Sequence, residues 1–376
     1  MIKTEALRQI NYIIEHDSAS STYKYVLLKS VINASQKYDH LINIENNRAN
    51  IPLGLIVEQW ILDYMPFVFK DILQGSSKTI VLDKPITDIY NNIFKLLNLD
   101  TSVEWVYGYM QFTKALQNPS MSIALSNEFL KLSKKIADKI VNMPMKFTGK
   151  SEYEFFTPKR YKFGSVKLNN NEIYNSSFLV SDFGYFSISE QHYNIFRYLG
   201  QTLYGTSTIM AKWKQKTNSL NANQETIKDI IEKLSSDTLE IRETASIRKI
   251  LSREKECIWS GKELQGTNYD VDHVLPFSVW FNNDLWNMLP TDRVLNQQKK
   301  KAKIPTRKLI ENRAEVIINY WNDYQQAMPL LFKSQIEVAL IGKDVNEDKI
   351  LDTAIESLCK KSDYLIFDRG HEAFNI

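Results

Sequence analysis

The chain has little cysteine, little net charge and no long apolar run. Cys257 and Cys359 are its only cysteines and lie far apart, so a disulfide framework is excluded and a reducing, cytoplasmic setting is expected. No apolar stretch approaches the roughly 20 residues needed to span a bilayer. The first residues, MIKTEALRQINYIIEHD, contain no apolar core and carry an acid early, so they do not read as a signal peptide. A net charge of +3 neither demands nor forbids a nucleic-acid partner; the placement of the charges matters more than their sum. No internal repeat is evident.

What is present is ordinary globular material. Hydrophobic residues make up 43% of the chain, charged residues 24% and aromatics 12%. That is enough for a sizeable core, and 376 residues suggest two or three domains. Residues 1–145 read as helical. Ser21 and Thr22 are placed to cap a helix bearing Tyr25, Leu28, Val31 and Ile32. Pro52 opens another, with Leu55, Ile56, Trp60, Ile61 and Tyr64 at helical spacing, and Pro66 is expected to end or kink it. A third helix over 121–141 interleaves Lys131, Lys134, Lys135 and Lys139, read as plain surface, and Pro144 stops it.

Between 146 and 190 short strands are expected at 155–156, 161–163, 166–168 and 178–180, with turns at 169–171 and 182–184. Asp182-Phe183-Gly184 spells a kinase motif, but no glycine-rich loop or catalytic-loop motif accompanies it, so it is read as a turn. The aromatics of 153–163, with Lys159 and Arg160, are read as sheet core in preference to base-stacking wedges. Residues 190–252 return to helix, with a polar linker or exposed loop over 214–224 and Asp237 capping a helix from Thr238.

The chemistry is concentrated in CIWSGKELQGTNYDVDHVLPFSVWFNNDLWNMLPTDRVLNQQKKKAKIP, residues 257–305. A strand-like start is followed by a turn at Ser260-Gly261 and a second extended piece over 269–275. A loop before Pro290 and a helix just after it, capped by Thr291 or Asp292, complete a strand, strand, loop, helix order. Phosphodiester hydrolysis needs a base that works near neutral pH, for which histidine is suited. It also needs a hard cation, held by oxygen donors such as a carboxylate and an amide, and a positive group for the phosphate. Asp272, His273, Asn296 and Lys299 supply one group of each kind. Adjacent strand residues point to opposite faces, so Asp272 and His273 suit two different jobs.

The segment resembles the HNH nuclease motif, D-H-(I/V)-x-P-x-S, then N, then N-x-x-K, then P. The matching residues are Asp272, His273, Val274, Pro276, Ser278, Asn287, Asn296, Lys299 and Pro305. Asn287 follows His273 by 14 positions and Asn296 follows Asn287 by 9. This spacing is similar to the HNH domains of CRISPR effector nucleases and of phage junction-resolving and homing endonucleases, and Asp270-Val271-Asp272-His273 resembles the CRISPR-type subgroup. The resemblance implies that His273 is the general base, that Asp272 and Asn296 are metal ligands, that Asn287 braces the loop and orients the histidine, and that Lys299 faces phosphate.

The chain departs from many relatives of this kind in lacking paired C-x-x-C motifs. Ser260 stands where a partner for Cys257 would be, so no structural zinc is expected and Trp259, Trp280 and Trp286 are expected to hold the module by packing. Asn296, in place of a histidine, favours Mg²⁺ or Mn²⁺.

Beside these stand plainer readings. Alone, His273 is a satisfied core histidine, and Arg293, Lys299, Lys300, Lys301, Lys303, Arg307 and Lys308 form a solvated helix face. Next to a metal site the same run is suited to track phosphates, which makes Arg293, Lys300, Lys301, Lys303 and Arg307 candidate nucleic-acid contacts. Cys359 is read as a small buried apolar residue.

The expected fold is α+β, predominantly helical. Its parts are a helical region over 1–145, a β-rich insert with helices over 146–252 suited to DNA or partner binding, a ββα-metal module over 253–310 and a helical cap over 311–376. The expected activity is DNA phosphodiester hydrolysis, leaving 5′-phosphate and 3′-hydroxyl ends by analogy, in a restriction or phage-defence nuclease whose partners are DNA and either a second copy of itself or another protein, with no membrane. The alternatives are a catalytically degenerate HNH protein that only binds DNA, and a nuclease for RNA or branched DNA.

Overall fold

The computed structural model describes residues 4–15, 21–75, 81–118, 120–159, 162–169, 174–204, 209–235, 244–251, 255–266, 269–280, 282–342 and 345–376. The chain forms two compact units, Met1–Ser235 and Ser236–Ile376.

The first unit contains α1 (Thr4–Glu15), α2 (Tyr23–Lys37), β1 (Asn43–Glu45), β2 (Arg48–Pro52), α3 (Leu53–Phe69), α4 (Lys84–Leu96), α5 (Trp105–Leu116) and α6 (Ile123–Ile140). After these come β3 (Thr157–Pro158), α7 (Ser176–Asp182), β4 (Tyr185–Ser189), α8 (Glu190–Tyr204), α9 (Ile209–Leu220) and α10 (Gln224–Ser235). α3 is apolar on nearly every face, which marks a central helix, and α2, α5, α6 and α7 pack around it. Gly54 permits the α3–α7 approach: a Cβ there would lie 2.1 Å from the Leu179 carbonyl oxygen. Pro66 does not end α3, which runs on to Phe69. Within this core Lys29 Nζ of α2 meets Asp63 Oδ1 of α3 at 2.5 Å.

Several expectations for this unit are corrected by the structure. A hairpin of β1 and β2 lies inside the stretch read as helical. Its turn is Asn46-Asn47, both at positive φ (50° and 60°), which asparagine tolerates and a tight hairpin demands. β2 continues into an antiparallel sheet ordered β1-β2-β4-β3. Residues 178–180 are helical because the Asn175 side chain caps α7, accepting from Phe178 N at 2.8 Å. Phe163–Ser165 is a 3₁₀ turn and 166–168 carries no strand. The presumed linker over 214–224 is largely α9, anchored by buried Trp213, whose indole donates to Gln74 Oε1 at 2.9 Å. Thr22 sits at the start of α2, yet its hydroxyl pairs with Tyr64 OH and donates to Gln74 O. Gly184, at φ +69°, makes the turn read at 182–184. Arg160, Tyr161, Asn170, Asn171, Asp237 and Thr238 lie outside the described residues.

The second unit opens with α11 (Thr244–Ile250), β5 (Lys255–Glu256), β6 (Glu263–Leu264), β7 (Tyr269–His273), α12 (Phe277–Trp280) and β8 (Met288–Asp292). A short helix over 293–300 follows, its last six residues (Leu295–Lys300) wound as π-helix. β9 (Ile304–Pro305), α13 (Arg307–Asn312), α14 (Ala314–Ala327), α15 (Pro329–Ile336), α16 (Ile350–Asp363) and β10 (Ala373–Phe374) complete it. β7 and β8 form an antiparallel hairpin with Asp272 opposite Leu289 and His273 opposite Met288. Pro290 lies within β8, opposite Val271, and not in a loop. It is tolerated there because the sheet has only these two strands, and its carbonyl accepts from Ile258 N. The Trp321 indole donates to Trp286 O at 2.9 Å and Tyr324 OH donates to Met288 O, so α14 grips the start of β8. No helix among the described residues is long and apolar enough to cross a membrane.

Candidate active site

Strand alternation sorts the sequence Tyr-Asp-Val-Asp-His. Tyr269 and Val271 enter the core, while Asp270 and Asp272 share the opposite face. The helix over 293–300 lies against that face. Asp292 starts it, accepting from Leu295 N at 2.9 Å; this backbone contact first, and then Lys262, hold the Asp292 carboxyl below the usual range. Lys301, at φ +48°, ends it.

One helical turn apart, Asn296 and Lys300 meet the two aspartates in order. Asn296 Nδ2 donates to Asp270 Oδ2 (3.2 Å), and Arg293 Nε lies 3.2 Å from Asp270 Oδ1. Lys300 Nζ donates to Asp272 Oδ2 (2.9 Å) and to the His273 carbonyl (2.6 Å). Lys300 is 1% exposed, against the expectation of a surface phosphate contact. Its chain runs through the helix–strand seam and its charge is spent on Asp272.

The loop between β7 and β8 is organised by Asn287, which is fully buried. Its Oδ1 accepts from Leu275 N (2.8 Å), and its Nδ2 donates to Leu275 O and Asn282 O (both 3.0 Å). Its own carbonyl accepts from Val274 N at 2.7 Å. The His273 ring is held by a residue the sequence reading passed over: Nε2 lies 2.7 Å from Asn283 Oδ1. With that oxygen accepting, the ring proton sits on Nε2 and the lone pair on Nδ1.

The remaining basic candidates divide. Lys299 and Lys301 are exposed. Lys303 is paired with Glu372. Arg307 is bound by Asp363 (2.6 Å), Glu356 (3.0 Å) and Glu311 (3.4 Å), and the first two, Asp363 foremost, push its pKa further up. That network fixes α13 on α16 and leaves Arg307 poorly placed for DNA.

Both cysteines are free and buried. The turn after Cys257 is held by Arg313, which donates to Ile258 O (2.7 Å) and Cys257 O (3.2 Å) and pairs with Glu256 (3.0 Å). A guanidinium thus ties together a loop that a zinc knuckle would otherwise cross-link. Trp259, Trp280 and Trp286 are buried in the same core.

Asp272 and Asn296 offer a carboxylate and an amide oxygen, a donor set that fits a hard divalent ion. No group of three or more His, Cys, Asp or Glu converges among the described residues.

Residues 257–306 match the model of a family described as HNH endonuclease, so the hairpin and its helix belong to the HNH superfamily. Residues 3–234 match the model of a family described as a domain of unknown function (DUF8808). That match covers more than half of the chain, and the chain belongs to this family. No curated protein and no solved structure matches it.

Proposed function

We propose that this protein is a divalent-metal-dependent endonuclease that hydrolyses DNA phosphodiesters at the β7–β8 hairpin. The observation that carries this reading is the meeting of β7 and the 293–300 helix. Two aspartates, an asparagine and a lysine pair across that seam, and His273 ends the strand with its ring held by Asn283. His273 Nδ1 takes the proton from the attacking water. Asn283 sets the tautomer that makes this possible, and Asn287 keeps the loop from shifting. Asp272 and Asn296 would hold the ion, which supplies charge neutralisation at the phosphate and at the leaving oxygen. Lys300 keeps Asp272 in place and balances part of its charge. Lys299, Lys301 and Arg293 approach the phosphate backbone. One such site cuts one strand, so a double-strand break takes two copies or two successive events.

DNA or partner binding is assigned to the part of the chain outside the nuclease module. The setting we infer is restriction or phage defence. Plaque counts on cells carrying wild type or His273→Ala test that setting, and equal counts remove it.

Incubation of supercoiled plasmid with Mg²⁺, Mn²⁺ or EDTA tests the activity. Nicked circles are expected with either metal and none with EDTA. His273→Ala is expected to lower the rate by about 10²–10⁴-fold. RNA, single-stranded DNA and branched DNA run in parallel separate the substrate classes. Equal cutting by wild type and His273→Ala, or no cutting of any nucleic acid, overturns the proposal.

A further inference from the structure

We infer that Asp270 is a positioning residue that decides which atom Asn296 presents to the divalent ion. The inference rests on the nuclease reading above and adds a residue that the motif does not assign.

An asparagine side chain can offer its carbonyl oxygen or, after a half-turn about Cβ–Cγ, its NH₂ group. That torsion is broad and roughly two-fold, so the backbone alone does not choose. Only the oxygen is a metal ligand; the NH₂ carries hydrogens that repel a cation. Asp270 makes the choice. Its carboxylate only accepts, so the group that faces it at 3.2 Å must be the NH₂, whichever way a planar amide is drawn. The carbonyl oxygen of Asn296 is then turned away from Asp270.

Asp270 is itself restrained. It sits two residues before Asp272 on the same face of β7, and Arg293 holds its other oxygen at 3.2 Å. Both carboxylate oxygens are thus engaged by the helix. Asp270 acts through Asn296 and not as a third ligand. The register makes the device reciprocal: the strand orients a helix residue at 296, while the helix orients a strand residue through Lys300 on Asp272. Outer partners of this kind typically matter by ~10–100-fold in metal affinity.

Mn²⁺ titration of the full chain, followed by electron paramagnetic resonance, tests this without relying on turnover. The proteins are wild type, Asn296→Ala, Asp270→Ala, Asp270→Asn and the Asp270→Ala/Asn296→Ala double variant. Asn296→Ala and Asp270→Ala should each weaken Mn²⁺ binding by about 10-fold or more, and the double variant should be no weaker than Asn296→Ala alone. Asp270→Asn is nearly isosteric and retains an acceptor oxygen, so it should recover part of the loss. If Asp270→Ala binds Mn²⁺ as wild type does while Asn296→Ala does not, the inference is overturned and the nuclease reading stands. If the two losses add, Asp270 is itself a ligand and the positioning role is overturned. A wild type that neither binds Mn²⁺ nor nicks DNA removes the nuclease reading, and this inference with it.

Discussion

Each unit of this protein buries a lysine–aspartate pair, and the two differ in what lies around them. In the first unit Lys29 and Asp63 are almost wholly out of water, with side-chain exposures of 3% and 1%. Lys29 and Gln59 both bond Asp63 Oδ1, while Oδ2 is buried with no hydrogen-bond partner. Burial dominates there and pushes the Asp63 carboxyl above its ordinary value, against the pull of Lys29. In the second unit Lys300 is equally buried but has two acceptors, and Asp272 keeps 11% of its side-chain surface. The first pair is sealed from water and fastens α2 to α3. The second keeps part of the aspartate side chain in contact with solvent.

The largest expected difference is in turnover. Asp272→Asn should lower plasmid nicking at least ~100-fold, the upper end of what an outer partner alone is worth, and, because it leaves Lys300 buried without its counter-charge, should also cost about 2–3 kcal/mol of stability. Asp63→Asn should cost stability alone. It leaves Lys29 buried without its counter-charge and should cost about 3–5 kcal/mol in urea unfolding, with nicking per folded molecule unchanged. Replacing both members, Lys29→Met with Asp63→Leu, should restore most of that loss. A cost below about 1 kcal/mol for Asp63→Asn, or a fall in specific activity, would show that the first pair is not the sealed structural contact described.

Lys300→Met gives an intermediate effect. Asp272 retains access to water, so the cost should be about 2–3 kcal/mol, below the range for a sealed pair. Millimolar Mn²⁺ should recover part of the lost melting temperature by neutralising Asp272. No such rescue is expected for Lys29→Met, and rescue of both, or of neither, erases the contrast.

The site was more legible in the sequence than the fold around it, for a physical reason. Asp272, His273, Asn287 and Asn296 occupy one hairpin and one helix, so their placement depends on short-range spacing. The contacts at Asn283, Asp270 and Lys300 depend on which rotamers survive packing, and no spacing encodes that. Lys300 reads as one more member of a basic run, and only the seam between strand and helix shows it buried. In the first unit the Asn46-Asn47 turn was a readable hairpin signal, overshadowed by helical periodicity on both sides. The strand expected at 178–180 failed because aromatic and branched residues also suit the core face of a capped helix, and Asn175 supplies that cap.

The smallest effect separates two histidines. His273 ends a strand at the candidate site, whereas His192 belongs to the first unit's framework. His192 Nδ1 lies 2.9 Å from Ser189 Oγ, its Nε2 lies 2.9 Å from Gln9 Oε1, and its ring stacks on Phe155 with centroids 4.4 Å apart. Burial first, and then the Arg48 charge, lower its pKa to about 4. Above pH 6.5 the ring is neutral in both folded and unfolded chains and contributes no pH dependence. As pH falls from about 6.5 to 4 the unfolded chain takes up the proton first, so this group removes stability across that window and none further below it. Allowing for its partial exposure, the loss should be about 1–2 kcal/mol. His192→Gln keeps a hydrogen-bonding side chain without the titration. Its unfolding free energy should fall less between pH 7 and pH 4.5 than that of wild type, and parallel curves for the two proteins would mean that the Phe155 stack does not hold His192 neutral.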